Sequence, residues 1–282
     1  MRPLATAVIA TILTLTPGAC AATERPRPDA EAIVPLRELS GLAIRRTAQG
    51  EELLAVGDEA RAIVVVPLVD GRPDGTKART IALPMPEEPG GSELEGVAVD
   101  ADGKVWVLAE RGEIRAFTVV DDIATEVWRR AIVVPSGHLL EAAWDRDPNT
   151  RAEGLAFRGG RVYIVKQRDP AALVELVPEG DRFALGSTWT LADMDDASDL
   201  AVVGDALFVI GAASEVICRL ADPGVVAHRL PCAKKWPLPA DLGTGKTQWE
   251  GLAFLADGRV LVGVDRKKTD RPNVALLPAL AP

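Results

Sequence analysis

Histidine, cysteine and tyrosine are scarce in this sequence, numbering two, three and one among 282 residues. That shortage removes most routine catalytic arrangements. No Gly-x-Ser-x-Gly elbow is present to hold a serine nucleophile, and His138 and His228 read as loop and outer-strand residues. None of Cys20, Cys218 and Cys232 belongs to a Cys-x-x-Cys pair, so zinc-ligand spacing is missing. Beyond the first twenty residues no apolar run approaches the roughly 20 residues of a membrane-spanning helix. Positive charge is also short: 32 Lys and Arg against 41 Asp and Glu leave a formal charge of −9. Nucleic acid, whose phosphates demand a basic face, is excluded as a partner, whereas a cation suits this balance.

What is present begins with a targeting pattern. Arg2 supplies a small positive region, Leu4 to Thr16 form an uncharged apolar stretch, and Pro17-Gly18-Ala19-Cys20-Ala21 breaks it. This is the anatomy of a secretory signal over residues 1–20. Two cleavages compete. Gly18 and Ala19 before Cys20 resemble a lipoprotein site with lipid on Cys20, although Pro17 stands where Leu is usual. Ala19-Cys20-Ala21 also fits ordinary signal peptidase, which would leave a freely secreted protein. Export to the periplasm or cell surface then makes Cys218 and Cys232 a disulfide pair, worth about 3 kcal/mol for a loop of that size. The membrane is reached only through the possible lipid.

Five segments lie over one another: Leu39-Ser40-Gly41-Leu42-Ala43, Leu94-Glu95-Gly96-Val97-Ala98, Ala152-Glu153-Gly154-Leu155-Ala156, Ala197-Ser198-Asp199-Leu200-Ala201 and Trp249-Glu250-Gly251-Leu252-Ala253. Each precedes a polar turn and then an apolar run: Leu53–Val56, Val105–Leu108, Val162–Val165, Leu207–Ile210 and Val260–Val264. Third strands follow, as in Ala62–Leu68, Ile114–Val119 and Leu173–Val177. Fourth strands are expected at Thr80–Leu83, Val127–Val134, Leu185–Leu191 and Val225–Leu230. Short Val-, Ile- and Leu-rich runs bounded by Gly, Asp and Pro disfavour helices. Repeat starts 55, 58, 45 and 52 residues apart match the spacing of propeller blades. The expectation is an all-β fold: a β-propeller of five blades, or six if a long connection hides a degenerate one. The last repeat lacks a fourth strand, which Ile33–Leu36 would supply as an N-terminal latch. Residues 21–31 then read as linker and 32–282 as a single propeller domain, a monomer. A β-sandwich is the alternative fold.

If the five motifs begin the innermost strands, Ser40, Glu95, Glu153, Ser198 and Glu250 converge on one mouth of the channel, with Asp199 next in line. Glu95, Glu153, Asp199 and Glu250 cannot all stay ionised together unless something neutralises them. A hard cation with oxygen ligands does so, Ca²⁺ ahead of Mg²⁺ because the geometry is loose. The alternatives are that the carboxylates cap backbone N–H groups of a neighbouring blade, or share protons. A second tier at the ends of the second strands holds Asp58, Glu110, Gln167 and Asp265. Asn149 and Arg151 precede Glu153, and Arg111, Lys166, Arg168, Arg266, Lys267 and Lys268 follow the second strands. These face a ligand or simply solvent. Gly243-Thr244-Gly245-Lys246-Thr247 lacks the spacing of a phosphate loop and is set aside.

The repeated Glu-Gly-[Leu/Val]-Ala, with Asn149 ahead of Glu153-Gly154-Leu155-Ala156, resembles the SdiA-regulated propeller family and the related phytase-like esterase group. Ala197-Ser198-Asp199-Leu200-Ala201 is similar to their Ser-Asp-Leu variant. Lys166-Gln167-Arg168-Asp169-Pro170 is similar to their Lys-Glu-x-x-Pro turn, with Gln167 in place of Glu. The likeness spans about residues 38 to 278 and implies an exported propeller with a Ca²⁺ site. Three functions fit: a cell-envelope binding or sensing module for a small molecule or protein partner, a metal-dependent hydrolase of phosphoesters, esters or lactones, and a protein-interaction scaffold.

Overall fold

The computed structural model describes residues 25–86, 92–226, 228–240 and 248–280. The segment read as a secretory signal, Cys20 and the 243–247 motif lie outside these. Strand β1 (Ala30–Ala32) leads. The first antiparallel unit contains β2 (Leu39–Thr47), β3 (Gly50–Gly57), β4 (Ala62–Val69), a two-residue β5 (Arg72–Pro73) and β6 (Arg79–Ala82). The second contains β7 (Leu94–Val99), β8 (Val105–Ala109), β9 (Glu113–Val120) and β10 (Ile123–Val133). After a short helix α1 (Glu141–Arg146), the third contains β11 (Leu155–Arg158), β12 (Arg161–Lys166), β13 (Ala172–Glu179) and β14 (Arg182–Leu191). The fourth contains β15 (Asp199–Val203), β16 (Ala206–Gly211) and β17 (Val216–Leu220), then β18 (Arg229–Leu230) and β19 (Cys232–Pro237). The fifth contains β20 (Gln248–Phe254), β21 (Val260–Asp265) and β22 (Val274–Leu277).

Burial explains why these runs are apolar without a break. Along β3, Leu53 and Ala55 face one neighbouring unit while Leu54 and Val56 face the other. Five apolar clusters result, one in each seam between units: first–second, second–third, third–fourth, fourth–fifth and fifth–first. The inner strands β2, β7, β11, β15 and β20 follow one another around a common axis. The fold is a β-propeller.

Two strands differ from expectation. The fifth unit is completed by β1, with Ala30 opposite Leu276 and Ala32 opposite Val274. The latch therefore begins in the segment read as linker and ends at Ala32, upstream of Ile33–Leu36. Val34 and Leu36 alternate like a strand, but their backbone is held by a side chain: Val34 N donates to Asn273 Oδ1 at 2.7 Å, and Asn273 Nδ2 donates to Val34 O and Leu36 O. In the fourth unit the outer strand is β19, not Val225–Leu230. The Cys218–Cys232 disulfide joins β17 to β19, and Leu220 lies opposite Cys232. Arg229 and Leu230 pair instead in parallel with Thr190 and Leu191 of the third unit.

Crowding at the axis sets the motif's second position. A Cβ on Gly154 would lie 2.3 Å from Leu200 N, and one on Gly96 2.7 Å from Glu153 O. The fourth repeat places Asp199 there instead. Its carboxylate is fully buried and accepts N–H groups of Leu200 at 2.7 Å, Leu252 at 2.7 Å and Leu42 at 3.2 Å. One side chain thereby ties β15 to β20 and to β2. Burial pushes its carboxyl well above the usual range, against the pull of the three N–H groups.

Asp199→Ala leaves those donors without their acceptor; urea unfolding should show a loss of about 3 kcal/mol or more. Replacing Cys218 and Cys232 together by Ala should lower stability by about 3 kcal/mol in the same assay. A value within about 0.5 kcal/mol of the parent would refute either assignment.

Candidate functional site

Three motif positions are β-bulges. The pairing of β2 with β3 slips between Leu39 and Gly41, that of β7 with β8 between Leu94 and Gly96, and that of β20 with β21 between Trp249 and Gly251. The extra residue is Ser40, Glu95 or Glu250, and a bulge re-aims its side chain out of the ladder. Glu153 precedes β11, with its N–H on Val165 O, and Ser198 precedes β15, with its N–H on Ile210 O.

The structure brings Glu95, Glu153 and Glu250 into one electrostatic cluster with Asp58, Glu110 and Asp265. Burial raises Glu95 well above the ordinary glutamate value, and the charges of Glu153, Asp58, Glu110 and Glu250 raise it further. Glu153 is raised by burial and by Glu250, Glu110 and Asp58, with Arg168 opposing. Glu250 is raised by burial, then by Asp265, Asp58, Glu110 and Glu38. Burial and neighbouring acids push Glu110 up to about 7 and Asp265 up to about 6. Asp58 accepts Ser40 Oγ–H at 2.8 Å and is hydrogen-bonded to Glu95, a contact that requires a proton on one of the two carboxyls.

Other sequence candidates take different roles. Asp199 is spent on backbone N–H groups at the axis, the capping role that was the alternative for these acids. Asn149 is exposed, in the turn capped by Asp147. Arg151 Nε donates to Trp144 O at 2.7 Å and braces the loop around α1. Lys166 is fully buried, its Nζ on the carbonyls of Thr150 and Arg168. Ser198 is buried beside Asp199.

Glu38, Glu93 and Asp147 also face the cluster and were missed. Glu38 and Glu93 each stand two residues before a motif's first position, with φ of 46° and 47°. Left-handed backbone at a glutamate leaves no mark in the sequence. The visible hint was the shared Glu-Leu before Ser40 and the same spacing before Glu95. Cations stand at the rim: Arg111 pairs with Glu93 at 2.5 Å and Lys267 with Glu38 at 3.2 Å.

Two buried oxygens here, Gln167 Oε1 and Asp265 Oδ1, have no hydrogen-bond partner. Glu153 is 4% exposed, and its carboxyl makes no hydrogen bond or ion pair among the described residues. Such a set fits a cation or a hydrogen-bond donor. Among the described residues, no group of three or more His, Cys, Asp or Glu side chains is gathered closely enough to form a metal's ligand set.

No family model matches the chain, and no curated protein sequence does. Among solved structures, the glutaminyl cyclase of Myxococcus xanthus is similar, with TM-score 0.58 and 13% identity over 90% of this chain and 98% of its own. The PQQ-bound aldose sugar dehydrogenase of Streptomyces coelicolor gives TM-score 0.52 and 13% identity over 89% of this chain and 97% of its own. At such identities the likeness concerns the fold. Among the described residues no helix is long and apolar enough to cross a membrane.

The raised carboxyls set a pH dependence. Between the ordinary value and the raised one, the folded chain holds a proton that the unfolded chain has released, so stability falls as pH rises. Glu52 does not compensate: hydrogen bonds from Arg79 and Arg45 outweigh its burial and lower its value, so it is ionised throughout. In chelator, the melting temperature should drop from about pH 5 to about pH 8, with the change centred on the values near 6 and 7 held by Asp265 and Glu110. A flat or rising profile would contradict the cluster.

Proposed function

We propose that this chain is an exported binding or sensing module of the cell envelope whose acidic mouth takes a cation, Ca²⁺ in the first instance. The observation that supports this is the surplus of unmet acceptors, with Glu153 buried and unpartnered among carboxyls that raise one another. Glu95, Glu153 and Glu250 are the residues to hold the ion, with Asp58, Glu110 and Asp265 as outer acceptors. Calcium tolerates an irregular set of oxygens completed by water, and its charge would draw in side chains that repulsion holds apart. In this reading the five units are five blades without a degenerate sixth, and the chain is a member of the SdiA-regulated and phytase-like group. Cleavage before Cys20 would leave a lipid anchor on the envelope; the disulfide accords with an oxidising compartment.

A second reading, metal-assisted hydrolysis of an ester, phosphoester or lactone, draws on Glu110. A carboxyl held near 7 is matched to proton transfer at neutral pH. Such a base would act on water beside the ion.

Calorimetric titration of the mature chain with Ca²⁺, beside thermal melts with and without chelator, tests the site. We expect saturable binding near one ion per chain, a higher melting temperature, and at least about tenfold weaker binding in Glu153→Gln. Absence of both heat and melting shift would leave the glutamates a role in the fold and direct the search to protein partners. With binding established, turnover of ester, phosphoester and lactone substrates that is lost in Glu110→Gln would favour the hydrolase.

A further inference from the structure

The third and fourth units enclose a second cleft, at the far end of β11 and β15 from Glu153 and Ser198. Its cavity of about 300 Å³ opens between Arg158, Arg161, Tyr163, Glu175, Trp189 and Asp222. A neighbouring hollow of about 380 Å³ shares Arg158 and Asp222 and lengthens it. These volumes fall within the range of small-molecule pockets.

The cleft follows from the irregular fourth unit. After β17 the chain turns through Asp222-Pro223-Gly224, where Asp222 Oδ1 accepts Gly224 N–H at 3.0 Å. Residues Arg229 and Leu230 then join β14 instead of extending the fourth sheet. Ser187 on β14 is exposed and lines the cleft. Trp189 is half-buried, its indole fixed by Nε1–H on Val226 O at 3.2 Å.

The chemistry differs from that of the acidic mouth. Arg158 reaches across the seam to Asp222 at 3.1 Å. Arg161 meets both oxygens of Glu175, at 3.1 and 3.2 Å, and is hydrogen-bonded to Tyr163. Asp205 also lines the cleft and Arg219 the neighbouring hollow, so over the two together three guanidinium groups face three carboxylates and neither a free anion nor a free cation finds a surplus of opposite charge. A purely apolar ligand would bury two ion pairs at a desolvation cost. Yet each guanidinium carries five N–H donors and each carboxylate about four lone-pair sites, most of them unused by these contacts. Spare donors and acceptors stand beside an indole and a phenol ring. A neutral molecule with ring hydroxyls and a C–H face satisfies all of these groups together.

From this arrangement we infer a saccharide-binding site between the third and fourth units, independent of the cation site at the other mouth. Titration of the mature chain with methyl glucoside, methyl galactoside, N-acetylglucosamine and the trisaccharides maltotriose and cellotriose tests it, read by calorimetry and tryptophan fluorescence. Ser187→Trp fills the cleft from an exposed position without removing a core contact, and Arg161→Ala removes a donor fork at the surface. We expect saturable binding of at least one sugar, weakened at least about tenfold in both variants, with the melting temperature and the Ca²⁺ titration of the parent retained. The inference is overturned if no sugar in the set binds the parent, or if both variants, folded as judged by their melts, bind as the parent does.

Discussion

Five inner strands can share an axis only where almost nothing stands between them, and this crowding governs the rest of the molecule. Glycine occupies the motif's second position because a Cβ on Gly154 or Gly96 would meet the next strand's backbone. With side chains excluded along the ring, chemistry is pushed to the strand ends. There, bulges at Ser40, Glu95 and Glu250 turn polar side chains out of the ladder. The acidic mouth and the tight axis are thus two results of one packing problem.

Asp199 shows how a single departure from glycine can be used. A carboxylate without a counter-charge is expensive to bury, and three backbone N–H groups make this one tolerable. Backbone donors on inner-strand edges would otherwise face a narrow channel. The same residue offsets two shortages, that of donors for the acid and that of acceptors for the edges.

Much of this was legible in the sequence. The five motifs, the apolar second strands and the closing N-terminal strand follow from period and composition, because propeller sheets buried on both faces read as short unbroken apolar runs. The cysteine pair was likewise visible. What escaped depended on backbone geometry and side-chain capture. Nothing in Val34 and Leu36 says that Asn273, more than two hundred residues away, takes their hydrogen bonds. The pairing of Arg229 and Leu230 depends on β14, which is remote in sequence. Glu95, Glu153 and Glu250 were recognised as facing one mouth, but Glu38 and Glu93 needed their left-handed φ to be seen. Asp199 was grouped with the glutamates because adjacency in the motif hides which way a side chain turns.

The pairing of β1 with β22 carries a consequence for the order of assembly. Ala30 and Leu276 are nearly the whole chain apart, yet they sit side by side in the seam. A chain synthesised N-terminus first presents β1 long before its partner arrives. The first strand must wait with an open edge until the last repeat emerges, and only then can the circle become continuous. The entropy of closing so long a loop must be met before its contacts form, which places this joint late in assembly.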